Sequence, residues 1–138
     1  MAYCPFAKQR ILPESGTQPR IVPRAIVLHS AAGKGSLYGW FKDNSNLEST
    51  FWVAEDGTIE QYMDTIIRAD ANYHANGFAI SIETESSRLA NEPWNPVQAA
   101  AIVKLIIWLC DTHNIPKKQI ESPTGSGIGW HIMFGTPG

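Results

Sequence analysis

The chain has 138 residues, enough for one domain with a real hydrophobic core and too few for two. Hydrophobic residues make up 43% and charged residues 17%, which excludes a disordered chain. A net charge of -2 supplies no basic field for nucleic acid or an anionic membrane surface. The longest apolar run, around residues 97–110, is interrupted by Gln98 and Lys104 and is too short to span a bilayer.

Residues 1–23 carry Pro5, Pro13, Pro19 and Pro23 without a sustained period. They read as an extended arm laid over the surface of a domain covering residues 1–138. The opening Met1-Ala2-Tyr3-Cys4-Pro5-Phe6 has no basic stretch followed by an apolar one. No secretory signal is therefore expected, and the chain starts in the cytoplasm unless a leader has been removed. Only Cys4 and Cys110 occur. Cys110 falls in an apolar helical stretch and reads as a buried thiol, and a cytoplasmic start disfavours a bridge to Cys4.

Residues 24–29 read as a buried strand, with Ala25, Val27 and His29 on one face and Ile26 and Leu28 on the other. Ser36 is expected to cap a short helix from Leu37 to Lys42. Thr50 to Ala54 and Thr58 to Tyr62 form a hairpin around Asp56-Gly57. Residues 63–77 are a polar loop containing His74. Phe78 to Thr84 is the next strand, with Ala79, Ser81 and Glu83 on one face. Asn95-Pro96 is a cap and first-turn pair for a helix from Val97 to about His113, expected to be buried on most of its circumference. Residues 117–128 read as a Gly-rich loop, and residues 129–134 carry His131. Strands with interspersed helices and one clear hairpin give an α/β domain with a mixed sheet.

Three of these segments end on groups with chemistry. Ala25-Ile26-Val27-Leu28-His29 ends on an imidazole, Ala79-Ile80-Ser81-Ile82-Glu83 on a carboxylate, and Gly127-Ile128-Gly129-Trp130-His131 on a second imidazole. Neutral histidines beside a base, with one position left for water, make a zinc hydrolase site. Taken singly, each histidine reads better as a hydrogen-bonded core residue; taken with Glu83 and the flanking motifs, the metal reading prevails. Glu85 is the competitor for the acid/base role, two residues on and on the same face. His74 stands between a groove-lining and a plain surface reading. His113, at a helix end that favours positive charge, has no assigned function.

The motifs Val27-Leu28-His29-Ser30-Ala31-Ala32-Gly33, Thr50-Phe51-Trp52-Val53-Ala54-Glu55-Asp56-Gly57-Thr58-Ile59-Glu60-Gln61, Ala79 to Glu83 and Gly127 to Gly135 stand in one order over residues 20–135. Together they resemble the zinc-dependent N-acetylmuramoyl-L-alanine amidases of the peptidoglycan-recognition type. Asp64 to Ser86 and the Cys4-Pro5-Phe6 start look most like endolysins of bacteriophages infecting actinobacteria.

The resemblance implies a central mixed β-sheet flanked by helices, with a groove holding a zinc site. It implies hydrolysis of the amide between N-acetylmuramic acid and the L-alanine of the stem peptide by a zinc-activated water. His29 and His131 match the zinc-binding histidines and Glu83 the general base. His74, Thr50 and Trp130 are the expected substrate contacts. The implied partner is bacterial peptidoglycan, met by a monomer released from the host cytoplasm to the wall. A non-catalytic peptidoglycan-binding module of the same fold is the alternative.

The sequence departs from the family pattern in places. The third zinc ligand, a Cys or Asp, follows the second histidine motif in the family, often just before Pro-Gly, and no such residue lies between His131 and Gly138. A second catalytic-site residue, often Lys or Thr, falls in the same stretch. The expectation is a catalytic domain lacking its C-terminal part, with weak or no activity. Ser49 or Thr50 replaces an aromatic residue that some members place near the metal, and Ser30 stands where many carry a second histidine.

Overall fold

Six short strands form one sheet in the computed structural model, which describes residues 2–31, 33–43, 48–86 and 93–130. They are β1 (Lys8–Gln9), β2 (Ala25–Ser30), β3 (Phe51–Val53), β4 (Ile59–Gln61), β5 (Ala79–Thr84) and β6 (Gly127–Trp130), in the spatial order β1-β4-β3-β5-β2-β6. β2 pairs in parallel with both β5 and β6, and β3 pairs in parallel with β5. β2 and β5 are covered on both faces, which is why they read as nearly unbroken apolar runs. The β3–β4 pair is the antiparallel hairpin. Its turn is closed by Gly57 at φ 89° and by Asp56 Oδ1, which accepts from the Thr58 N–H at 2.9 Å.

Among the described residues two α-helices accompany the sheet: α1 (Tyr38–Asp43) and α2 (Pro96–His113). Ser36 Oγ accepts from the Tyr38 N–H at 3.2 Å, as its capping role requires. Asn95 does the same for Gln98 at 2.9 Å, Pro96 occupies the first turn, and Asn114 ends the helix in the left-handed region at φ 55°. The Gln98 side chain then donates to the carbonyls of Val53 and Glu85, fastening α2 to the ends of β3 and β5.

The alternation of β2 and β5 divides the core. Ile26, Leu28, Ile80 and Ile82, with Phe51 and Val53, pack against Ile102, Leu105 and Leu109 of α2. Each such side chain, fully buried, contributes roughly 2 kcal/mol. The opposite face is covered in two patches. Trp52 and Ala54 meet Leu12, Phe41, Tyr62 and Met63, while Ala25, Val27 and Ala79 meet Ala75, Phe78 and Ile120. His29 and Glu83 belong to that second face, beyond the end of the Ala25–Val27 patch.

Four expectations need correction. The arm is not merely draped over the surface: Lys8–Gln9 adds a parallel strand to β4, and Cys4 and Leu12 are buried in the two main clusters. Cys4 and Cys110 are both buried free thiols. α2 exposes Val97, Val103 and Ile107, so its apolar content overstates its burial; one sheet face can cover only one side of a helix. β6 starts at Gly127, inside the expected loop, because β2 and residues 118–120 supply partners for Gly127 and Ile128 that no local pattern reveals. His113 is half-buried against Thr65 Oγ1 at 2.7 Å, and burial lowers its pKa against any helix-end preference for charge.

Candidate active site

The register of β2 on β5 pairs His29 with Glu83. Since Val27 pairs with Ser81 and Ala25 with Ala79, this is a ladder of small side chains ending in two large functional ones. The pair stands at the carboxyl ends of parallel strands, where open α/β sheets hold their ligands. His29 Nδ1 lies 3.9 Å from Glu83 Oε1, and the other ring nitrogen, Nε2, lies 2.7 Å from Asn72 Oδ1.

Glu83 is in an unusual position for a carboxylate. Its side chain is 15% exposed, and its Oε2 is buried with no hydrogen-bond partner among the described residues. Trp52, itself buried, is its register partner on β3, so one flank is aromatic. Removal from water pushes its pKa up to about 7. A buried, unpaired oxygen costs stability, and such costs are retained mainly where a group has work to do.

Glu85 does not share this environment. It lies past the end of β5, where one oxygen accepts from the Gly35 N–H at 2.6 Å and the other from the Glu55 N–H at 2.8 Å. It ties the loop after β2 to the β3–β4 turn. The expectation that it competes with Glu83 on one face is therefore corrected: its acceptor capacity is committed to two backbone amides.

The remaining sequence candidates fall in different places. Thr50 is 1% exposed, and its Oγ1 accepts from the Ser81 N–H at 3.2 Å. Beside it, Ser49 donates to Ser81, so both residues at the position of the family's aromatic are interior pins between β3 and β5. His74 is exposed, in a single 3-10 turn at Tyr73–Ala75. Trp130 is 46% exposed and pairs with Leu28, so it stands on the α2 side of the sheet, across from His29. His131, the residue after Trp130, lies outside the described residues. Among the described residues no group of three His, Cys, Asp or Glu side chains is placed to hold a metal ion.

Sequence reasoning missed Asn72, fully buried and bonded to His29. It lies in the 63–77 loop, where only His74 attracted notice. The available signal was an Asn two residues before His74 in a segment otherwise reading as solvent-facing.

Glu48 is another carboxylate with a buried, unpartnered oxygen among the described residues. Glu48 is fully buried; its Oε1 accepts from Gln18 Nε2, which also donates to Asp70 Oδ2 at 2.8 Å, and its Oε2 has no partner among the described residues. Burial raises its pKa above the ordinary 4.5. The folded protein thus keeps a proton that the unfolded chain has released, and stability falls as pH rises from the ordinary carboxylate range through the raised value. Glu48→Gln is expected to reduce that fall. Urea midpoints between pH 4 and about 8 check it; equal slopes in both proteins would remove Glu48 from the account.

A sheet with an imidazole and a proton-hungry carboxylate side by side at its strand ends has the elements of a hydrolase. The family model for N-acetylmuramoyl-L-alanine amidase matches residues 18–133, and the chain belongs to that family. Solved structures share the fold. The endolysin amidase LysCS from Clostridium intestinale URNW superposes with a TM-score of 0.74 at 17% identity, covering 97% of this chain and 86% of that one. The Staphylococcus aureus hydrolase AmiA, solved with its ligand, gives 0.73 at 14% identity over 94% of this chain and 67% of that one. Human PGRP-IβC, solved with a glycosamyl muramyl pentapeptide, gives 0.70 at 15% identity over 97% and 88%. No curated protein sequence matches the chain.

Proposed function

We propose that this chain is a zinc-dependent peptidoglycan hydrolase. It cuts the amide between the lactyl group of N-acetylmuramic acid and the L-alanine that begins the stem peptide. The observation that carries the reading is the orphaned Oε2 of Glu83 beside the His29 ring. A module that only binds has no use for such a carboxylate, and replacing it would stabilise the fold.

The donor chemistry fits zinc: an imidazole nitrogen and a carboxylate oxygen lie 3.9 Å apart on the same sheet face. His29 and His131 are the residues that would hold the ion. His131 follows Trp130 in sequence as His29 follows Leu28, and Trp130 and Leu28 are register partners. Zinc, when bound, polarises a carbonyl and acidifies water. Glu83 takes the proton of the attacking water and passes it to the departing amine of L-alanine. A pKa near neutrality suits both halves of that transfer. His74, on the exposed 3-10 turn, is the proposed groove contact. The likeness of Asp64 to Ser86 to actinobacteriophage endolysins supports a phage enzyme that meets the wall after release from its host.

The test is digestion of purified actinobacterial peptidoglycan by the zinc-loaded protein. New L-alanine amino termini without new reducing sugars are expected. Glycan cleavage uses two carboxylates flanking a glycosidic oxygen, and Glu85 is held on backbone amides. Reducing sugars without L-alanine termini would overturn the amidase reading. Wall binding with neither product would favour the binding module.

A further inference from the structure

We infer that Asn72 is the positioning residue of the site: its side-chain amide fixes which nitrogen of His29 carries the proton and which faces Glu83. Asn72 is fully buried, and its backbone carbonyl accepts from the Ala75 N–H at 2.9 Å. Its N–H donates to Asn76 Oδ1 at 2.7 Å, anchoring the loop on itself. Its Nδ2 donates to the Ala79 carbonyl at 3.3 Å, and its Oδ1 lies 2.7 Å from His29 Nε2.

The direction of the last bond follows from the others. A backbone carbonyl can only accept, so the amide nitrogen of Asn72 must face Ala79. The amide oxygen then faces His29, and it too can only accept. Nε2 of His29 is therefore the protonated nitrogen, and in the neutral ring Nδ1 carries the lone pair. Nδ1 is the nitrogen 3.9 Å from Glu83 Oε1. One buried amide, itself pinned to the first residue of β5, thus turns the lone pair of the β2 histidine toward the carboxylate at the end of β5. A metal-binding histidine needs this arrangement, with the outer N–H held by an acceptor and the inner lone pair presented. A neutral amide sets the tautomer without adding charge to the site.

The consequence for metal binding rests on the zinc reading above; the tautomer does not. Ring ¹⁵N spectra of the metal-free chain, with His29 assigned by comparison with His29→Ala, measure the tautomer directly. The expected result is a protonated-type Nε2 and a lone-pair-type Nδ1. Asn72→Ala is expected to mix the two tautomers and to weaken zinc binding, measured by competition with a chelating dye, by about 10–100-fold. Asn72→Asp keeps the acceptor and is expected to restore the tautomer and most of the affinity. Protonation of His29 on Nδ1 in the unsubstituted chain would overturn the inference, and needs no variant to fold. So would an Asn72→Ala protein with unchanged tautomer and unchanged affinity. If the unsubstituted chain binds no zinc, the zinc reading fails, and the ¹⁵N spectra still decide the role of Asn72.

Discussion

Glu83→Gln is expected to cut peptidoglycan hydrolysis by a hundredfold or more while leaving the fold and the zinc content in place. The substitution keeps the size of the side chain and can still fill the space beside His29 and Trp52. It removes the one property the mechanism uses, a carboxylate that can take and return a proton, and general acid–base help of this kind is worth roughly 100- to 10,000-fold. Stability should hold or rise in the metal-free protein. The native Oε2 is buried without a partner among the described residues, and burial has already pushed the pKa up to about 7. Glu85→Gln supplies the contrast. That carboxylate accepts from the Gly35 and Glu55 amides, so its loss should lower stability and spare the chemistry. Turbidity loss of wall suspensions and thermal midpoints, measured on both variants, separate the two roles. Activity within a few-fold of the parent in Glu83→Gln would remove Glu83 from the reaction.

The parts of this site that were legible in the sequence are those fixed by local period. The alternation in Ala25 to His29 and in Ala79 to Glu83 assigns the faces correctly, because strand geometry permits only two faces and one was filled with Ile and Leu. The hairpin at Asp56-Gly57 and the Asn95-Pro96 start of α2 were legible because their backbone conformations demand particular residues. What local pattern could not supply was pairing. That β2 lies between β5 and β6, so that His29 faces Glu83, is a tertiary fact. So is the side on which Trp130 stands: it pairs with Leu28, on the face that packs against α2. Glu85 illustrates the same limit. Period two carried it along with Glu83, but the strand ends at Thr84 and the Glu85 carboxylate accepts from the Gly35 and Glu55 amides. Asn72 was invisible for another reason. Its importance comes from burial inside a loop, and loops are read by default as solvent-facing.

Gly127→Ala is expected to destabilise the protein by on the order of 3 kcal/mol, a sum of backbone strain and overpacking. Gly127 opens β6 at φ 132°, a conformation that a side chain disfavours. A Cβ there would stand 2.5 Å from the Lys118 carbonyl oxygen and 3.3 Å from Ile120 Cγ2. The first of these is backbone and cannot swing aside. Nor can the segment move as a unit at small cost. The Gly127 N–H donates to the Arg24 carbonyl at 3.1 Å, the Ile128 N–H donates to Lys118 at 2.8 Å, and the Ile120 N–H donates to Ile128 at 3.0 Å. Relief of the clash therefore breaks pairing on one side of β6 or the other. For a chain of this size the thermal midpoint should fall by roughly 10 °C. Gly16→Ala is the control: an exposed glycine with nothing within 4 Å of its added Cβ should leave the midpoint nearly unchanged. Because His131 is the next residue in sequence after Trp130, the last of β6, zinc affinity should drop together with the midpoint if His131 is a ligand. A stable Gly127→Ala protein would mean that β6 does not hold the register on β2 described above. Lost stability with unaltered zinc affinity would instead separate the strand from the metal and point away from His131.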